Sequence, residues 1–307
     1  MAKITISLKT HSTILIQKRR IKTMNNKENQ NMVTTKIQGT EFTYNTETHY
    51  EKDGHIYCKT CNEQIDGNPI PFFNNTIFLP RVDCKCDIER KEEEKLREKL
   101  MKQDGLRRNC FISRNQIAYT FENVDKDTDK EIIKKAKNYV KHFEEMREDN
   151  IGLLLYGSVG SGKTYLACAI ANAIITEYSY TVKMRNFAQI LNDLQKGGFN
   201  LDRNEYINSL TNSTLFILDD FGIERNTEYA LEQIYNVINA RYLKARPTII
   251  TTNLNFKDIE TEQDDVMLNR IYSRIIEMCL PLRVTGQDRR KSQSKEKMKK
   301  AQNLIDE

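Results

Sequence analysis

Eight consecutive residues are the best suited to chemistry. Gly157, Ser158, Val159, Gly160, Ser161, Gly162, Lys163 and Thr164 fill every fixed position of the phosphate-binding pattern G-x-x-x-x-G-K-[ST]. The apolar run Leu153-Leu154-Leu155-Tyr156 before them predicts a buried strand, and Tyr165 to Ile175 after them predicts a helix. A glycine-rich loop feeding a helix N-terminus can wrap backbone N–H groups around the α and β phosphates, helped by the positive end of the helix dipole. Lys163 would reach the β and γ phosphates, and the Thr164 hydroxyl would face Mg²⁺. The expected ligand is a nucleoside triphosphate, ATP, with its magnesium ion.

About 55 residues later a second β-prone run, Thr214 to Leu218, ends in Asp219 and Asp220. At the carboxyl edge of such a strand the first carboxylate suits orienting Mg²⁺, usually through water, and the second suits polarising an attacking water. Asp219 and Asp220 are assigned those roles, with Glu224 a weaker candidate for the second. A third run, Pro247 to Thr252, ends in Asn253, whose amide can hold the water and sense the γ phosphate. Arg270 and Arg274, four apart on a predicted helix over 265–276, share one face and could reach phosphate charge in a neighbouring subunit. Strands alternating with helices over 150–285 imply a mostly parallel sheet covered on both faces.

The 307 residues suggest about two domains. No window approaches the ~18 apolar residues of a membrane span, so a cytoplasmic protein without membrane contact is expected. Seven cysteines without a secretory leader argue against a disulfide framework. Cys58-x-x-Cys61 and Cys84-x-Cys86 form two close pairs with the donor set of a structural Zn²⁺. A redox dithiol and unligated thiols are the alternatives, and His55 is a substitute ligand should Cys86 not serve. Cys110, Cys168 and Cys279 lie in apolar or helical contexts and are expected in the core. Five segments are expected: an unstructured stretch over 1–40, a zinc-binding module over 41–86, a charged helical linker over 87–104, the ATPase domain over 105–291 and a basic tail over 292–307. The net charge of +5 is compatible with nucleic acid without demonstrating it.

Taken together, the two cysteine pairs, Thr120-Phe121-Glu122-Asn123, the phosphate loop, Leu-Asp-Asp-Phe-Gly at 218–222, Thr251-Thr252-Asn253, Ser273-Arg274 and the closing Gly-x-Asp-x-Arg resemble the DnaC-type helicase loaders of bacteria and their phages. These form a branch of the AAA+ ATPases close to the IstB transposition ATPases. The resemblance implies an α/β fold with a five-stranded parallel sheet, Asn253 as sensor 1, Arg274 as an arginine finger acting in trans and Arg290 as sensor 2. Arg270 is placed equally well, and Arg289 adjoins Arg290. Asp220 stands where a Glu is common across AAA+ proteins, which would slow hydrolysis. Implied partners are a hexameric replicative helicase, single-stranded DNA and further copies of the ATPase domain. Lys183, Arg185, Lys196 and Arg203, with the basic tail, are the cations considered for DNA. The implied activity is a slow ATPase switch that engages and releases helicase and DNA. An IstB-like transposition helper and a non-hydrolysing ATP-binding adaptor are the competing readings.

Overall fold

The computed structural model describes residues 31–71, 77–125, 128–196, 202–222, 227–286, 298–299 and 301–305. It divides into two compact units, 1–98 and 99–307. The division falls inside one long helix, within the span 87–104 expected to be a charged helical linker.

The first unit is built from three antiparallel pairs: β1 (Met32–Ile37) with β2 (Thr40–Asn45), β3 (His49–Lys52) with β4 (His55–Cys58), and β5 (Ile70–Pro71) with β6 (Ile77–Phe78). Strand β1 and the first residue of β2 thus occupy the last part of the stretch 1–40 expected to be unstructured, whose first thirty residues lie outside the described ones. Gln38-Gly39 and Asp53-Gly54 turn the first two hairpins with positive φ at both residues, the conformation whose twist matches flanking strands. Ile37, Phe42, Tyr44, Ile56, Ile65 and Leu79 form a small core with Cys58 and Cys84. Helix α1 (Lys85–Cys110) follows; it extends the expected charged linker at both ends.

In the second unit, α2 (Lys130–Lys141) and α3 (Phe143–Glu148) lead into β7 (Gly152–Tyr156), then α4 (Lys163–Tyr178), β8 (Val182–Asn186), α5 (Phe187–Lys196), α6 (Arg203–Thr211) and β9 (Leu215–Phe221). The chain continues through α7 (Glu228–Leu243), β10 (Thr248–Thr252), α8 (Phe256–Glu260), α9 (Val266–Met278) and β11 (Cys279–Arg283). The five strands form one parallel sheet in the order β11-β7-β10-β9-β8. Its central strands are buried without alternation, as a sheet covered on both faces requires. Their side chains still divide by parity. Leu153, Leu155, Ile217 and Ile249 pack with α2 and α4, whereas Leu154, Phe216, Leu218 and Ile250 pack with α7 and α9. Cys110 and Cys168 lie in the first core and Cys279 in the second, as expected.

One buried cation ties the base of this sheet. Arg241 of α7 is fully buried and donates to Thr211 O (2.8 Å), Ser213 O (2.7 Å), Thr248 Oγ1 (3.1 Å), Thr214 O (3.4 Å) and Pro247 O. Burial pulls its pKa down to about 9, so it stays charged at neutral pH, neutralised by carbonyl dipoles. Replacing Arg241 by Ala orphans several acceptors at once and should destabilise the unit by at least ~3 kcal/mol in urea titration. Arg241→Lys, with one nitrogen in place of a planar fork, should recover less than half of that loss.

Candidate nucleotide-binding site and cysteine cluster

At the carboxyl edge of the sheet, β7 opens into the glycine loop and the loop into α4. Gly157, Gly160 and Gly162 all have positive φ, which side-chain-bearing residues rarely adopt. A Cβ on Gly157 would also stand 2.3 Å from Val284 O, and one on Gly286 3.0 Å from Ser161 O. The segment after β11 therefore presses on the loop, and only glycine fits at Gly157. Lys163 is buried, and its ammonium donates to Gly157 O (2.9 Å), Ser158 O (2.8 Å) and Asn253 Oδ1 (2.7 Å).

The carboxylate strand runs further than its apolar stretch predicts: β9 passes through Asp219 and Asp220 to Phe221. Ile250 pairs with Leu218 and Thr252 with Phe221, so Thr251 alone faces both aspartates across a bulge. Asp220 takes the left-handed conformation at φ 56°, a strained setting that aspartate tolerates better than most residues. Thr251 Oγ1 donates to Asp219 Oδ1 at 2.7 Å and accepts the Asp220 N–H at 2.8 Å. Asp219 Oδ1 also accepts from Thr164 Oγ1 at 2.9 Å, and Asp220 Oδ1 from Asn253 Nδ2 at 3.3 Å. Lys163, Asn253, Asp220, Thr251, Asp219 and Thr164 thereby form a closed ring of contacts. Thr251 is legible in the sequence only as part of a Thr-Thr-Asn strand end; its bridging role arises from strand pairing.

Burial raises the Asp219 pKa, while hydrogen bonds from Thr251 and Thr164 oppose that rise. A carboxylate in this setting gains from a nearby cation, and with the Thr164 hydroxyl it supplies the hard oxygen donors magnesium prefers. Ser161 Oγ is buried with no hydrogen-bond partner among the described residues, under a loop of permissive glycines at a helix N-terminus. These features fit a nucleotide's phosphates and Mg²⁺. Ahead of the sheet, Tyr119 and Tyr165 stack at 4.8 Å and Tyr165 donates to Thr120 O, which fastens the Thr120-Phe121-Glu122-Asn123 segment to α4.

Other expected site residues are dispersed. Arg270 is exposed on α9, and Arg274 lies against two tyrosine rings of its own chain. Glu224, Arg289, Arg290 and most of the basic tail lie outside the described residues. Lys183 and Arg185 on β8 donate to Asn109 O and Cys110 O at the end of α1. They offset the negative end of that helix, a use of positive charge that composition alone does not distinguish from DNA contact. Lys196 and Arg203 are exposed.

In the first unit, the ligand atoms of Cys58, Cys61, Cys84 and Cys86 lie within 4.8 Å of one another. Tetrahedral zinc with ~2.3 Å bonds needs sulfurs about 3.8 Å apart, so the set fits with small adjustment. The first pair sits on a turn closed by Asn62 N–H to Cys58 O at 2.9 Å. The second brackets Lys85, where α1 begins, so the helix start stands in for the usual second knuckle. Burial raises the Cys58 thiol, but the N–H groups of Cys61 and Thr60 and the neighbouring thiols outweigh it and bring it down to about 7. His55 is not part of the set; its Nδ1 lies 2.7 Å from Asp66 Oδ2.

A P loop, a two-carboxylate strand and a strand-ending asparagine on this parallel sheet define an ATP-binding domain of AAA+ type. Residues 87–297 match the family model described as IstB-like ATP binding protein, and the chain belongs to that family. The chain is 23% identical to the replicative helicase loader DnaI of Bacillus subtilis over 248 residues, 76% of this chain and 78% of DnaI. It is 26% identical over 157 residues to the replicative helicase loader DnaC of Escherichia coli K12, covering 50% and 62%, and 31% identical over 152 residues to the B. subtilis phage-like element PBSX protein XkdC, covering 47% and 54%. The chain thus spans little more than half the length of the latter two. A crystal structure of DnaI superposes with a TM-score of 0.49 at 25% identity over 59% of this chain and 95% of that one. Among the described residues no helix is long and apolar enough to cross a membrane.

Thr251→Val keeps the shape of residue 251 but loses both bonds to the aspartates; an unfolding free energy lower by ~1–3 kcal/mol is expected in urea titration, with Thr251→Ser near the parent. Elemental analysis should find one zinc per chain. Chelation should remove hydrogen-exchange protection from residues 32–84 while leaving the sheet protected.

Proposed function

We propose that this chain is an ATPase that loads a hexameric replicative helicase onto single-stranded DNA, with ATP binding and hydrolysis switching its hold on both. The observation that carries the ATPase part is the closed ring in which both aspartates and Asn253 meet Lys163 and Thr164. Gly157, Ser158, Val159, Gly160, Ser161 and Gly162 surround the phosphates, and Lys163 exchanges its carbonyl partners for phosphate oxygens. Thr164 and Asp219 would hold Mg²⁺, which would supply charge neutralisation at the phosphates. Asp220, tilted by the bulge and oriented by the Asn253 amide, accepts the proton of the attacking water. Arg274 from a second copy and Arg290 of the same chain complete the site.

The loader part draws on the relatives. The match to DnaI, a replicative helicase loader, covers 76% of this chain, more than residues 87–297 alone could supply, so it reaches into the cysteine-bearing unit. The four-cysteine unit with its structural zinc is then the natural candidate for the helicase contact. The family description IstB-like keeps transposition open as the other outcome of the test below.

The deciding experiment mixes the protein with the replicative helicase of its own cell or phage, with ATP or ADP. The mass of the complex and helicase transfer onto circular single-stranded DNA are measured. A stable complex with ATP-dependent transfer is expected, and Lys163→Ala should lower transfer at least ~100-fold, equivalent to ~2.7 kcal/mol. Absence of a complex, with ATP-dependent assembly on duplex DNA instead, would replace the loader with a transposition helper.

A further inference from the structure

Arg274 is held in an unusual way. Its guanidinium carbon lies 4.7 Å from the Tyr235 ring centroid and 5.5 Å from that of Tyr242. Both tyrosines belong to α7 and stand two turns apart on one helix face. The Tyr242 hydroxyl donates to Glu277 Oε1 at 3.0 Å, so the carboxylate one turn beyond Arg274 on α9 is engaged by the tyrosine. Arg274 Nη1 is buried and has no hydrogen-bond acceptor among the described residues. A buried charged donor left unbonded is costly, and folded chains rarely retain one without a use for it. Arg274 opens on a hollow of ≈ 530 Å³ that Arg270, Asn269, Ser273 and Glu262 also line.

Ring stacking occupies the faces of a guanidinium, whereas hydrogen bonds to phosphate or carboxylate run in its plane from the N–H edge. The two kinds of contact do not compete. Two rings can therefore fix where a guanidinium sits and how it is rotated while the accessible part of the half-buried Arg274, which lines the hollow, remains available to an outside anion. Arg270 is exposed, and among the described residues it makes no such ring contact. The clamp thus separates two arginines that helix periodicity leaves equivalent.

We propose that Tyr235 and Tyr242 are positioning residues that preset Arg274 for the nucleotide phosphates of a second copy of this chain. The inference rests on the trans role given to Arg274 above, and a complementation experiment tests the two separately. One copy carries Lys163→Ala, which disables its own loop but still offers Arg274; the other carries Arg274→Ala, which keeps its loop but offers no finger. Mixing them should restore ATP turnover at least tenfold above either alone. Tyr235→Leu or Tyr242→Leu added to the Lys163→Ala copy should abolish that recovery, and Tyr235→Phe, which keeps the ring, should preserve it. The same Leu changes in the Arg274→Ala copy, whose finger is already gone, should leave recovery intact. No recovery in the starting mixture would overturn the trans role and the clamp with it. Recovery that persists with Leu in the donor copy overturns the clamp alone, and loss with Leu in either copy reveals a merely structural role and overturns it too.

Discussion

Two adjacent aspartates on one strand would ordinarily point to opposite faces of the sheet, because strand side chains alternate. The hydrolysis proposed for this site needs both at the same edge. One extra residue in β9 opposite Thr251 reconciles these demands: the bulge turns Asp220 into a left-handed conformation, and both carboxylates then join the contacts that end on Lys163 and Thr164. Thr251 makes this possible because one hydroxyl can donate to the first aspartate and accept from the backbone of the second. The strain of the left-handed residue, typically ~1–3 kcal/mol, is offset by bonds that regular pairing would not offer. Everything else at the site is arranged around this irregularity, including the register of β10 that brings Asn253 to the lysine.

Features that depend on neighbours in sequence are legible from the residues alone. The glycine loop, the apolar strands and the clustering of the four cysteines carry their meaning in local spacing, whereas β9 runs on through the Asp-Asp pair that the spacing placed at its end. The hairpin turns Gln38-Gly39 and Asp53-Gly54 carry a signal of the same kind, yet the polar surroundings of the first mask a strand that begins at Met32. Contacts made across the fold are not legible in this way. Nothing around Arg241 in sequence suggests a fully buried cation, since its partners come from the end of α6 and the starts of β9 and β10. Lys183 and Arg185 likewise read as surface charge until β8 is set against the end of α1.

The cysteine-bearing unit is held together differently from the sheet. Among the described residues its core comprises six apolar side chains and two of the thiols themselves, a small apolar core for short hairpins. A tetrahedral ion would join a turn at Cys58–Cys61 to the start of α1, linking segments more than twenty residues apart. That constraint removes chain entropy much as a cross-link does, without requiring an oxidising environment.

The network around Arg241 has a consequence for cooperativity. In a parallel sheet, neighbouring strands are far apart in sequence, and each could in principle open with its own crossover helix as a separate folding unit. Arg241 binds acceptors from three such segments with a single planar group, so none of them can leave without orphaning a charge shared by the others. The two strands that carry the aspartates and the Thr-Thr-Asn end, together with α7, are thereby joined into one block that opens as a whole or not at all, and fluctuations that loosen the edges of the sheet stop short of its nucleotide site.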